Sequence, residues 1–133
     1  MSQPLWQPSE RRVSNANLTH FRQQISDKYG LTLPDYRALY DWSVGDSVAF
    51  WREVWDFGGL IGDGPGDVGL ADGDKMPGAQ FFPKARVNYA ENLLRRRDDG
   101  TAIVFRAEDK VERRLTFREL YDRVSQLAQA LRA

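Results

Sequence analysis

"TAIVFRAEDKVERRLTFRELYDRVSQLAQALRA", Thr101 to Ala133, decides the fold class. Its first half reads as two strands around a turn at Glu108-Asp109. Ile103 and Phe105 fall on one face of the first strand, and Ala102 and Val104 on the other. Thr116 and Glu119 then have the spacing of a capping box, with a hydroxyl at the N-cap and a carboxylate three residues on. Leu120, Val124, Leu127 and Leu131 recur at intervals of four, three and four, so the segment after Thr116 reads as an amphipathic helix. A strand–turn–strand–helix unit in a chain with helices elsewhere gives an α/β class, more narrowly an α+β fragment. No glycine, asparagine or proline ends the last helix before Ala133, which suggests a truncated chain.

Upstream lies "FFPKARVNYAENLLRRR", Phe81 to Arg97. An aromatic pair runs into Pro83, and Asn88 with Glu91 repeats the capping-box spacing, asparagine replacing the usual serine or threonine. Tyr89, Leu93 and Leu94 are expected to face inward. Arg95, Arg96 and Arg97 suit the negative end of a helix dipole. Residues 62–80 break every period with glycine, proline and aspartate, and read as a long surface loop.

Three helices are expected before that loop. The first dozen residues read as an extended arm anchored by Leu5 and Trp6. In "SNANLTHFRQQISDKYG", Leu18, Phe21, Ile25 and Tyr29 share one helical face; Ser14, Asn15 or Asn17 suits the cap and Gly30 the stop. "LPDYRALYDWS" gives a second helix with Pro34 in its first turn, where the missing N–H costs nothing. "GDSVAFWREVWDFGG" gives a third, capped by Asp46 and stopped by Gly58. Val48, Phe50, Trp51, Val54, Trp55 and Phe57 cover most of its circumference, leaving Arg52, Glu53 and Asp56 as a polar strip. So wide an apolar face indicates burial on more than one side.

The 133 residues amount to about one domain. Apolar residues make up 41% and charged residues 29%, the balance of a globular chain. Basic and acidic residues are equal at 19 each, which removes the electrostatic argument for a nucleic-acid or membrane partner. There is no cysteine, so disulfides, thiolate metal sites and a cysteine nucleophile are excluded. No apolar run approaches the ~20 residues that span a bilayer. The start, "MSQPLWQPSERR", lacks the apolar core of a secretory signal, and the cytoplasm is the expected compartment.

Several stretches invite a chemical reading. "GPGDVG", Gly64 to Gly69, matches G-x-G-x-x-G, yet no strand precedes it and no helix follows, so it reads as loop. Asp63, Asp67, Asp72 and Asp74 miss the spacing of a calcium loop and read as solvated acids. His20 is alone and off the apolar stripe, a surface histidine. Arg95 to Arg97 and Glu112 to Arg114 are basic clusters whose forks match phosphate oxygens; they read as a solvated helix end and a solvated strand face. No nucleophile elbow, H-E-x-x-H or P-loop occurs. No catalytic, cofactor-binding or metal-binding residue is assigned.

In order along the chain, "PLWQPS" (Pro4–Ser9), "YRALYDWSVGDSVAFWREVWDF" (Tyr36–Phe57), "FFPKARVNYAENLL" and "AIVFRAED…LTFRELYDRVSQLAQALRA" resemble the N-terminal region of the acetoacetyl-CoA synthetases (acetoacetate–CoA ligases) of the adenylate-forming superfamily. The third resembles the family's W-F-P-G-A-x-L-N-Y-A-E-N-L-L. Phe81 stands there for tryptophan, Val87 for leucine and Lys84 for glycine; a positive φ at Lys84 would strain it by about 1 kcal/mol. The resemblance implies a helical N-terminal extension over residues 1–80, including the loop 62–80. It implies the start of a large ATP/AMP-binding domain over 81–133, with the aromatics of the third stretch anchoring the junction. It also implies a parent enzyme that uses ATP, magnesium and CoA, with phosphate loop, ribose-binding aspartate and mobile lysine all downstream. This part alone would then be inert and bind no cofactor, its partner being the remainder of its own large domain. An acetyl- or propionyl-CoA synthetase is the alternative parent. A free-standing helical interaction module docking through Trp51 and Trp55 is the alternative of another class.

Overall fold

A computed structural model of the chain describes residues 5–108 and 112–132. The described chain is mixed α/β, with helices and two small antiparallel strand pairs. It divides into two compact units, Met1–Ala85 and Arg86–Ala133.

The first unit begins with a short helix, α1 (Glu10–Ser14), within the expected extended arm. Ser9 causes the difference: its side chain accepts from Arg12 N and starts a turn of its own. That turn then uses the residues expected to cap the next helix, since the Ser14 hydroxyl donates to Arg11 O. As a result α2 (Asn17–Tyr29) starts from Ala16 with no side-chain cap. It stops at Gly30, whose φ of 64° is the left-handed turn that glycine supplies at little cost.

α3 (Tyr36–Gly45) is capped by Asp35, whose carboxylate accepts from Ala38 N at 2.9 Å. Pro34 therefore lies before the cap instead of in the first turn, because a carboxylate one residue later satisfies the free amides that proline cannot. α4 (Ser47–Gly58) is capped by Asp46 as expected, and it ends on Gly59 at φ 58°, one residue beyond the expected stop.

Phe21, Ile25 and Leu39 are the buried apolar core, with Leu31, Leu33, Trp42, Phe50 and Val54 packed around them. Complete burial of a side chain such as Ile25 contributes about 1.5–3 kcal/mol. The apolar girdle of α4 is only partly covered: Trp51 and Phe57 remain exposed. The residue of α4 that is buried is a member of the expected polar strip, Glu53.

Residues 62–80 are not featureless. Leu70–Ala71 (β1) and Gln80–Phe81 (β2) pair antiparallel, and Lys75 N donates to Asp72 O inside the hairpin. The base of the hairpin is pinned to α4 at Gly69. A Cβ placed on Gly69 would overlap the Val48 side chain, so a close approach requires glycine here.

In the second unit Asn88 caps α5 (Tyr89–Leu93). The helix is one short turn and a half, and Arg95–Arg97 lie beyond its end. The expected dipole contact is therefore replaced by stacking: Arg96 sits 4.1 Å from the centre of the Phe117 ring and Arg97 4.0 Å from that of Tyr121. Tyr89 and Leu93, expected to face inward, are exposed, Tyr89 at 77%. A five-residue helix has too little surface to cover them.

β3 (Thr101–Arg106) and β4 (Glu112–Thr116) form the expected hairpin, in register Ile103↔Leu115 and Phe105↔Arg113. Glu108 lies in a turn. Asp109, the other residue of the expected turn, lies outside the described residues. Thr116 and Glu119 form the complete reciprocal capping box at the start of α6 (Phe117–Ala130). Of the expected α6 stripe, Val124, Leu127 and Leu131 are exposed and Leu120 is half-buried; half-buried Phe117, Tyr121, Ser125 and Ala128 lie on other positions of the helix.

Candidate functional site

The first unit concentrates its aromatic surface where α4 meets β2 and the residues just after it. Trp51, Val54, Trp55 and Leu60 line one side of an apolar hollow of about 340 Å3, with Phe81 and Phe82 on the other. The rings meet edge to face, Trp51 with Phe81 at 5.9 Å and Trp55 with Phe82 at 6.0 Å between centroids. Trp51 keeps 43% of its surface exposed, an apolar area that costs free energy in water.

Phe82 holds this joint together under strain. Its φ of 48° lies in the left-handed region, costly for a bulky side chain. Three contacts compensate: its N–H donates to Gly69 O at 3.0 Å, its carbonyl accepts from Ala85 N at 2.8 Å, and Arg52 lies over its ring. The strain anticipated for Lys84 is thus absent from that residue and present two residues earlier. Arg52 also reaches the loop, where its Nη2 donates to Gly66 O at 2.7 Å and to Asp67 O at 3.1 Å.

A dinucleotide loop offers backbone amides to phosphate; here it is carbonyls of the Gly64–Gly69 segment that are engaged, and by an arginine. Asp72 pairs with Lys75, and among the described residues no group of three or more His, Cys, Asp or Glu side chains is placed to hold a metal ion. His20 is exposed on α2.

Glu53 is the functional-looking residue that the sequence reading missed. Its Oε1 accepts from Lys28 Nζ at 2.6 Å and from the Tyr29 hydroxyl at 2.8 Å, while Oε2 is buried with no close hydrogen-bond partner among the described residues. Burial opposes its ionisation, but the Lys28 and Tyr29 bonds outweigh it and hold its pKa below the usual carboxylate range. The same bond raises Lys28, and burial first, then the carboxylate, raises Tyr29. This is a structural clasp between α2 and α4, in which Glu53 is only 2% exposed. The only signal available in the sequence was a lone glutamate inside an aromatic helix.

In the second unit the basic runs are largely engaged. Arg96 bonds Asp98 at 2.8 Å, Arg118 bonds Asp99 at 2.9 Å, and Arg114 bonds Glu112 at 2.6 Å. Asp98 is held below its ordinary pKa by Arg96 and by the Gly100 amide. A second hollow, of about 550 Å3, opens beside the hairpin and the start of α6, with Ile103, Phe105 and Leu115 below and Arg113 and Arg123 among its walls.

Comparison with known proteins gives this geometry a setting. Residues 36–93 match the family described as acetyl-coenzyme A synthetase N-terminus. Over 130 residues the chain is 47% identical to an acetoacetyl-coenzyme A synthetase of Rhizobium meliloti, covering 98% of this chain and 20% of the relative. It is 33% identical over 138 residues to an acetoacetyl-CoA synthetase of Mus musculus, again 98% of this chain and 20% of the relative. A malonamoyl-CoA synthetase of Penicillium aethiopicum is 29% identical over 136 residues, 97% of this chain and 18% of the relative. No solved structure gives a significant match. The chain thus spans about a fifth of the length of these relatives, and it is homologous to the N-terminal region of acetoacetyl-CoA synthetases.

Proposed function

We propose that this chain is the N-terminal part of an ATP-dependent acetoacetate–CoA ligase and that its role there is structural. One observation carries the reading: an alignment at 47% identity to an acetoacetyl-coenzyme A synthetase covers 98% of the chain. The parent would join acetoacetate to AMP with release of diphosphate, then pass the acyl group from the adenylate to the CoA thiol with release of AMP. A cytoplasmic location goes with that chemistry.

None of this chain's described residues is assigned to nucleotide, and among them no group of three or more His, Cys, Asp or Glu is placed to hold a metal ion. The glycine-rich loop turns carbonyls onto Arg52, and Glu53 is closed in by Lys28 and Tyr29. No catalytic step is therefore assigned to it. Its part is to form the α2–α3–α4 core, the aromatic joint at Phe81–Phe82 and the first hairpin and helix of a larger domain, from residue 81 onward. The bare stripe of α6 and both apolar faces of β3 favour that assignment, because each is surface that the rest of a large domain would cover.

ATP–diphosphate exchange tests the reading. The full-length gene product should exchange label with acetoacetate, and residues 1–133 alone should not. Exchange by residues 1–133, or its absence from the full-length product with every acid tried, overturns it. The match to the acetyl-CoA synthetase N-terminus favours a second reading, a parent acting on acetate or propionate. A panel of short acids with the full-length product separates the two. A stop codon directly after Ala133 would instead leave a free-standing module, with the Trp51 and Trp55 hollow as its docking surface.

A further inference from the structure

We propose that the hollow between the β3–β4 hairpin and the start of α6 seats an acidic–apolar segment from the remainder of the parent polypeptide, an inference that rests on the parent reading above. The floor is apolar. Ile103 and Phe105 share a face of β3 with Leu115 and Arg113, their partners across the hairpin. Phe105 is 53% exposed at this floor, a large aromatic surface left to water.

The walls determine what covers that floor. Three arginines and one carboxylate line them. Arg114 is taken by Glu112. The carboxylate, Glu119, is taken by the Thr116 amide and hydroxyl at the N-cap, which hold it ionised. Arg123 lies within electrostatic reach of Glu119 and, like Arg113, has neither a hydrogen bond nor an ion pair among the described residues. Two guanidinium groups with free forks therefore flank an apolar floor, in a unit that holds more basic than acidic side chains.

A purely apolar segment laid on that floor would desolvate Arg113 and Arg123 without compensation. A basic segment would be repelled. A carboxylate beside an apolar side chain satisfies both: the apolar group covers Phe105 and the carboxylate accepts from the forks. The free backbone edges of a two-stranded hairpin favour a segment that arrives extended, as an added strand. The relatives, of which this chain spans 20%, have ample polypeptide to supply it.

The test uses the full-length gene product with p-benzoylphenylalanine in place of Phe105. Irradiation should join position 105 to a peptide from beyond residue 133 that has Asp or Glu next to an apolar residue. Adding Arg113→Glu and Arg123→Glu should lower that yield at least about tenfold, the effect of losing even one charge-assisted bond. In the unsubstituted protein, phenylglyoxal should modify Arg113 and Arg123 at least about tenfold more slowly than Arg37, which pairs with Asp41 yet keeps its side chain 77% exposed, a readout that needs no folded variant. No crosslink to later chain, a crosslink to a neutral or basic segment, or modification of Arg113 and Arg123 as fast as Arg37 overturns the proposal. ATP–diphosphate exchange by the same unsubstituted protein reports separately on the parent reading. An inactive protein that gives the crosslink and the protection removes the acetoacetate assignment and leaves the docking intact.

Discussion

Lys28 Nζ lies 2.6 Å from Glu53 Oε1, and that contact ties the end of α2 to the middle of α4. The two partners differ sharply in solvation: the Lys28 side chain is 51% exposed and that of Glu53 only 2%. Removing either one therefore has unequal effects. Lys28→Ala leaves Glu53 with Tyr29 and should be the milder change, as for other half-solvated pairs. Glu53→Ala opens a cavity at a buried position and removes the Lys28 and Tyr29 bonds together, and should cost about 2 kcal/mol. Urea unfolding followed by indole fluorescence measures both; equal losses would contradict the clasp.

The same contact sets a pH dependence. Glu53 has a folded pKa below its unfolded value, so its contribution is present above the unfolded pKa, about 4.3, and is lost as pH falls through the folded value. Lys28 and Tyr29 are both raised, so their contributions are present below their unfolded pKa values, each about 10, and are lost as pH rises through the folded ones. Stability of the first unit should form a plateau between these limbs. Glu53→Gln should flatten the acid limb, as read by denaturation midpoints from acid to neutral pH; an unchanged acid limb would rule out the clasp as its source.

Phe82 offers a test in which the usual order of substitutions inverts. At φ 48°, Phe82→Ala loses the contacts with Trp55 and Arg52 and keeps the backbone strain. Phe82→Gly loses the same contacts and relieves the strain. Glycine should therefore be the milder substitution by about 1 kcal/mol, although glycine is ordinarily the worse for folding. Denaturation midpoints of the two variants decide it.

Gly69 tests the packing of the hairpin on α4. Gly69→Ala forces its new methyl into Val48 and should cost about 1–3 kcal/mol. Val48→Ala in the same chain makes room, so the double variant should be more stable than the sum of the single losses. Strict additivity in that cycle would show the two residues to be independent.

Local signals were legible in the sequence and distant ones were not. The caps at Asp46, Asn88 and Thr116 use partners three residues away, and the pairing of β3 with β4, though not its register or the shift between Thr101 and Ile103, follows from two strand-like runs adjacent in sequence. Glu53 reads only as part of a polar strip because its partners lie 24 and 25 residues earlier and no helical period reports them. The segment 62–80 reads as a long surface loop because its order comes partly from Arg52 and Val48, on a helix that ends before it begins. Pro34 and Ser9 show a third kind of limit: several residues in each stretch are competent to start a helix, and the choice among them turns on which side chain reaches a free amide first.

The exposed stripe of α6 separates the local stability of this chain from its role in a parent enzyme. Leu127 is 62% exposed, so Leu127→Lys removes little buried area within the second unit and should change its stability by less than about 0.5 kcal/mol. In a full-length ligase whose later chain covers α6, the same lysine would be buried without a partner, at a cost of several kcal/mol unless it is deprotonated or displaced. The variant parent should then melt earlier or fail to accumulate in soluble form, while Leu127→Met, which keeps the apolar contact, should behave as the unsubstituted protein. Thermal melts of the three full-length proteins make the comparison. Equal melting of all three would leave α6 facing water in the parent, against the assignment of this unit to the interior of a larger domain.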